Sequence, residues 1–264
     1  MMKRVVMVAV IVLIVAAAGW EFWRMRHRAE VAAGPAATVA GAEWLDLLHS
    51  RNPRDVEKAT QQVTSLGAAA LPVIQATLRD PQAEAERLKA SLKAVGILGQ
   101  TAAPAIDEVA AVLDEPGLTA EAAIALSYMG PTALDPLEEA LDDDDPVVRR
   151  EALRSIGKLK ERAPLEGRMV LPVLVECMTD PDPGVRAVAA TYLGIIHEGA
   201  SDAIPALIAG LNDADPEVRR ASAAAIGSFG DAAAPALPAL KKAASDQHDD
   251  VAQEAGQAIV KLQK

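Results

Sequence analysis

Aromatic residues are scarce in this chain: Phe, Trp and Tyr together make up 3% of 264 residues, although about half of the chain is hydrophobic. A compact globule of this size normally fills its core with aromatic rings. A core of alanine, leucine and valine implies helices that approach one another closely, and alanine is the best helix former. Beyond the N-terminus no run alternates apolar and polar residues at period two, which argues against sheet. Cysteine is down to one residue, Cys177, which excludes an intrachain disulfide and a thiolate metal cluster. Basic residues are the minority charge. The net charge is −11, and setting aside the first 40 residues, with five basic and two acidic side chains, leaves about −14. That field repels DNA and RNA backbones, so nucleic acid is not an expected partner. The fold class read from this balance is all-α.

The N-terminus has a different character. Lys3 and Arg4 precede an unbroken apolar run from Val5 to Trp20, followed by Glu21, Phe22, Trp23 and then Arg24, Arg26 and Arg28. A helix over residues 5–23 spans roughly 28 Å, close to the hydrocarbon thickness of a bilayer. Trp20, Phe22 and Trp23 stand where an interfacial aromatic belt belongs. These features predict a signal-anchor or transmembrane segment over 1–28, a linker over 29–41 and a repeat region over 42–264. A cleaved signal peptide stays open as an alternative, because Ala16, Ala17 and Ala18 resemble a signal-peptidase site. The anchor reading makes this a single-pass protein of a bacterial inner membrane with the repeats outside the cytoplasm. Arg24, Arg26 and Arg28 pull the other way under the positive-inside rule.

Self-similarity dominates the remainder. Residues 146–157 read PVVRREALRSIG, 183–194 PGVRAVAATYLG and 216–227 PEVRRASAAAIG. Val148, Val185, Val218 and Val251 each lie nine residues before Gly157, Gly194, Gly227 and Val260. Weaker copies place that last position at Thr64, Gly96 and Ser127, giving successive intervals of 32, 31, 30, 37, 33 and 33 residues. The long interval holds an insertion from Glu161 to Gly167. Each unit has a shorter amphipathic stretch with an early proline (Pro72, Pro104, Pro136, Pro172, Pro205, Pro238) and a longer one. An Asp-Pro step opens the clearest of the longer stretches, and Gly67, Gly99, Gly130 and Gly230 follow four of them. Asp as N-cap, Pro in the first turn and Gly at the C-terminal end are the expected helix punctuation.

This pattern resembles the HEAT-repeat family, in particular its short repeats of the phycobilisome-lyase type. The resemblance implies a right-handed α-solenoid of about seven helix pairs, here preceded by one transmembrane helix. It also implies a ladder between neighbouring repeats, from an Asp in the interhelix turn and an Arg six residues later. Asp143 and Arg149, Asp180 and Arg186, and Asp213 and Arg219 match that spacing, while Ala252 stands where the last arginine belongs.

Candidate chemistry is sparse. His197-Glu198 is the sharpest feature, since HEAT-like deoxyhypusine hydroxylases bind two irons with several His-Glu pairs. One pair cannot make such a site, so no metal or other cofactor is expected, and His197 reads as a helix-end residue. Cys177, beside Met178 in an apolar stretch, reads as a small buried hydrophobe. The Asp142–Asp145 run lacks the glycine and distal glutamate of a calcium loop.

If Val148, Ala152, Ile156 and Leu159 face the core, then Arg150, Arg154 and Lys158 recur at i, i+4 and i+8 on the outer face. Lys89, Lys93 and Arg220 hold register-equivalent places. In HEAT solenoids the second helices line the concave surface. The expectation is therefore a non-catalytic, membrane-anchored scaffold whose concave basic face binds a protein partner, in particular an acidic segment. A lyase-like or other enzyme subunit and a purely structural spacer are the alternatives. The oligomeric state and the partner's identity are not legible.

Overall fold

The structure, a computed structural model, describes residues 43–162 and 167–263. All regular elements among them are helical, and the α-helices fall into seven consecutive pairs. The pairs are α1 (Glu43–Leu48) with α2 (Pro53–Leu66), α3 (Leu71–Arg79) with α4 (Ala85–Leu98), and α5 (Ile106–Ala110) with α6 (Thr119–Leu126). They continue with α7 (Leu134–Glu139) and α8 (Pro146–Arg162), α9 (Gly167–Cys177) and α10 (Pro183–Ile196), α11 (Ala200–Gly210) and α12 (Pro216–Ser228), and α13 (Leu237–Ala243) and α14 (Asp249–Lys261).

Local chemistry sets the boundaries of the second helices. Proline opens α2, α8, α10 and α12, where the missing N–H costs no helical hydrogen bond. The Asp182 carboxylate accepts from the Val185 N–H at 3.0 Å, and Asp215 from the Glu217 N–H at 2.8 Å. Asn52 caps α2 in the same way, accepting from the Arg54 N–H at 3.1 Å. Gly67 and Gly99 end α2 and α4 at φ +52° and +56°, a region that a side chain disfavours.

The first helices depart from expectation. Several begin as 3₁₀ turns, over Gly67–Ala70, Gly99–Ala105, Pro131–Ala133 and Gly230–Ala236. In α9 and α11 the helix starts a turn earlier than the proline position predicts, so Pro172 and Pro205 lie inside. There each removes one hydrogen bond of the ladder.

Small residues let the second helices close up. A Cβ on Gly194 of α10 would stand 2.6 Å from the Ala225 Cα of α12, and one on Gly227 would stand 3.2 Å from the Ala258 Cα of α14. Gly157 of α8 instead admits the Tyr192 ring, which a Cβ would meet at 2.1 Å. The glycine of each repeat motif is therefore a packing residue for the next second helix. These helices touch one another far more extensively than the first helices do. Between the two layers runs a continuous core in which Leu153, Ile156, Leu159, Leu174, Leu193 and Leu207 are fully buried.

One expectation is corrected. No helix among the described residues is long and apolar enough to cross a membrane. The longest of them has 17 residues and is amphipathic, where a span needs about 20 predominantly apolar ones. A single-pass inner-membrane protein with its solenoid outside the cytoplasm is therefore not supported. The segment 1–28 and linker 29–41, on which that expectation rested, lie outside the described residues.

Candidate functional site

Three arginines clamp the last four repeats together. Arg149 donates from Nε and Nη2 to the two oxygens of Asp180, both at 2.8 Å, and from Nη1 to the carbonyls of Asp143 at 2.9 Å and Asp144 at 3.1 Å. Arg186 does the same with the Asp213 carboxylate at 2.7 Å and the carbonyls of Asp180 and Pro181. Arg219 repeats it with Asp246 and the carbonyls of Asp213 and Ala214. Each guanidinium thus binds the main chain of its own turn and the carboxylate of the next one. The six-residue Asp-to-Arg spacing marks the carbonyl contact, and the carboxylate contact falls one repeat on. The Asp143 carboxylate accepts the Asp145 N–H at 2.7 Å instead. Asp246 is the member that the spacing within one repeat misses, although it stands 33 residues after Asp213, as Asp213 does after Asp180.

The electrostatics follow the geometry. The bond from Arg219, then the His248 N–H, hold the Asp246 carboxyl down at about 2. For Asp180 and Asp213 burial pushes upward, but the arginine bonds and the N–H groups of Asp182 and Asp215 outweigh it, so both lie below the ordinary carboxylate value. Arg149, Arg186 and Arg219 are correspondingly raised, first by their bonds to the carboxylates. In the N-terminal repeats other links serve. Gln75 donates to the Pro104 carbonyl at 2.9 Å, and Arg79 pairs with Glu108.

The predicted basic residues all stand on second helices. Arg150, Arg154 and Lys158 follow one another along α8, with Lys89 and Lys93 on α4 and Arg220 on α12. Their charges are partly engaged. Glu151 takes an N–H of Arg154 at 2.9 Å and lies 3.7 Å from Arg150, while Glu217 accepts from Arg220 at 2.8 Å. Lys89 pairs with Glu86 at 3.4 Å, and Lys93 donates to the Leu48 carbonyl at 3.2 Å. Arg150, Arg154 and Arg220, together with Glu217, wall a trough of about 380 Å³ floored by the small residues Gly184, Ala187 and Thr191 of α10.

A second hollow of about 340 Å³ lies at the C-terminal ends of α6 and α8. There the Arg162 guanidinium stacks 3.9 Å over the Tyr128 ring and donates to the Ser127 hydroxyl. No signal in the repeat pattern points to this pair, because Arg162 belongs to the insertion.

The remaining candidates have structural surroundings. Cys177 is buried, and burial followed by the charges of Asp180 and Glu176 pushes its thiol up to about 12. It is therefore protonated at neutral pH and a poor nucleophile. His197 is the left-handed C-cap of α10, at φ +38°, and Glu198 pairs with Lys160 at 3.3 Å. Among the described residues no three His, Cys, Asp or Glu side chains are grouped as metal ligands.

Comparison with known proteins places this architecture. Residues 171–260 match the family model described as HEAT repeats, and residues 120–208 match non-SMC mitotic condensation complex subunit 1. None of the curated proteins matches the chain in sequence. Among solved structures the chain is similar to one in the complex of CpcE and CpcF of phycocyanin lyase from Nostoc sp. PCC7120. The identity is 26%, over 59% of this chain and 98% of that one, with a TM-score of 0.50. Kap121p is 16% identical over 83% of this chain and 27% of its own, at a TM-score of 0.57. The structure reporting Kap95p binding to RanGDP is 16% identical over 83% of this chain and 34% of its own, at 0.55. These two likenesses speak for the fold alone. The helix pairs and the two family matches agree: the described residues form HEAT-like repeats stacked in the manner of an α-solenoid.

Proposed function

We propose that residues 42–264 form one non-catalytic scaffold that holds an acidic segment of a protein partner on the outward face of its second helices. The observation that carries this reading is the row Arg150, Arg154 and Lys158 along α8, with Arg220 across the small-residue floor of α10. Second helices line the concave surface in HEAT-type solenoids, and here they contact one another more extensively than the first helices do, which supports reading this face as the concave one. Opposite charge attracts a partner from a distance and suppresses wrong ones. Each guanidinium carries five N–H donors, so the single N–H that Arg154 gives Glu151 leaves others for a ligand. Structures of related fold support a protein as partner, since CpcE is seen with CpcF and Kap95p with RanGDP.

The test is chemical crosslinking and capture from native extract with the full chain and with an Arg150→Glu/Arg154→Glu/Lys158→Glu variant, after circular dichroism shows both folded. Capture of one partner by the wild type and its loss in the variant is the expected result. Equal capture by both would move the binding surface to the acidic turns.

The likeness to phycocyanin lyase favours a second reading, a lyase-type subunit. Chromophore handling needs an apolar, aromatic-lined hollow, and the Tyr128–Arg162 hollow is the place to look for it. Titrating the protein with a linear tetrapyrrole tests this: a red-shifted, saturable absorbance change that Tyr128→Ala abolishes would favour the lyase reading over the scaffold.

A further inference from the structure

The basic row of α8 stands between two uncharged ones. In the positions equivalent to Arg150, Arg154 and Lys158 stand Ala120 and Ile124 of α6 with Tyr128 in the turn after it, and Ala187, Thr191 and Ile195 of α10. Ile124, Tyr128 and Ile195 are 40%, 39% and 45% exposed. Single exposed hydrophobic residues are ordinary. These three, however, share two register positions beside the arginines, so the charged ridge of α8 has Ile124 and Tyr128 on one side and Ile195 on the other.

We infer that this face recognises an extended acidic segment with an apolar residue at each end, in the pattern apolar at i, acidic at i+2 and i+4, apolar at i+6. The inference rests on the scaffold reading above and adds what the partner must look like. Helices packed about 8–10 Å apart put α6 and α10 about 16–20 Å from one another. An extended chain at about 3.3 Å per residue covers that in five to six residues, and only an even separation keeps both end residues on one face. Two acidic side chains then fall over α8, within reach of Arg154, which shares the register of Ile124, and of Arg150 one turn away, with the apolar ends against Ile124 on one side and Ile195 on the other.

Fluorescence anisotropy of two labelled peptides, LSESESL and SSESESS, with the full chain tests this. The peptides differ only in their apolar ends. The first is expected to bind at least tenfold more tightly, and an Ile124→Ser/Ile195→Ser variant is expected to erase that difference while keeping the affinity for the second. Arg150→Glu/Arg154→Glu should remove both, with Arg150→Ser/Arg154→Ser in its place if the reversed charges unfold the protein. Equal binding of the two peptides overturns the inference and leaves the acidic cradle standing. Binding of neither peptide, or binding indifferent to the arginine changes, overturns the cradle and the inference together.

Discussion

Arg186 and Asp213, 27 residues apart in the chain, meet through two parallel N–H···O bonds of 2.7 Å each, with side chains 16% and 13% exposed. The pair is the middle rung of three, and its arginine also holds the carbonyls of Asp180 and Pro181. Bidentate, charge-assisted bonds of this kind are the strong class of hydrogen bond. Removing one partner leaves the other charge poorly solvated, which costs more than the pair contributes. Arg186→Ala is expected to lower the free energy of unfolding by about 3 kcal/mol in urea titrations. Arg186→Lys is expected to restore less than half of that, because lysine lacks the planar fork. A loss below about 0.5 kcal/mol would put the rung in the class of ordinary surface pairs.

The ladder also makes stability depend on acid. Asp180, Asp213 and Asp246 ionise more readily folded than unfolded, Asp246 at about 2 against an ordinary value of about 3.9. Their contribution is complete above the unfolded value and is lost as pH falls through the folded ones. Thermal melts should be level from pH 7 to about pH 4.5 and fall between about pH 4 and pH 2. Asp246→Asn should melt lower at pH 7 and show a shallower acid fall. An unchanged acid profile in that variant would mean that the Arg219–Asp246 rung does not differ between folded and unfolded chains.

Two glycines separate packing from propensity. A Cβ on Gly194 would stand 2.6 Å from a main-chain atom of α12, whereas one on Gly256 of α14 meets nothing within 4 Å. Gly194→Ala is expected to cost about 1–3 kcal/mol through overpacking. Gly256→Ala is expected to gain up to about 1 kcal/mol, the helix preference of alanine over glycine. Chemical unfolding of the two variants gives both values, and a neutral Gly194→Ala would show that the helices can part at little cost.

His197 ends α10 in a left-handed conformation, φ +38° and ψ +30°, at the repeat position where Gly67 and Gly99, also at positive φ, end α2 and α4. A side chain there carries a strain of about 1 kcal/mol that glycine lacks. His197→Gly should therefore raise the melting temperature, and a lower one would mean that the ring's contact with the Ile195 carbonyl at 2.9 Å outweighs the strain.

Much of the frame was legible because it is written locally and repeated. Asp182 and Asp215 cap helices, Pro183 and Pro216 open them, and the same offsets recur from unit to unit. The arginines of the rungs were readable as spacing, but their carboxylate partners lie one repeat on. A pattern pairing Asp with Arg inside a repeat passes over Asp246, since Ala252 replaces the last arginine. Which glycines are closed in by a neighbour depends on interhelix distance, which periodicity does not encode. The same holds for Pro172 and Pro205, which tertiary packing keeps inside helices against their local preference. On the candidate face the charges of Arg150, Arg154 and Lys158 were visible as an i, i+4, i+8 series. The same register reaches Ile124, Tyr128 and Ile195 beside them, but only the structure shows that these side chains are exposed.

The claim that the second helices carry the binding surface is tested most directly by a photocrosslinking amino acid placed at two exposed positions of the full chain. One is Thr191, on the floor of the trough in α10, and the other is Lys241, on α13 in the opposite layer. Irradiation in native extract is expected to give a discrete adduct from position 191 that Arg154→Glu abolishes, and none from position 241. An adduct from 241 with none from 191 would contradict the account and put the partner on the first helices.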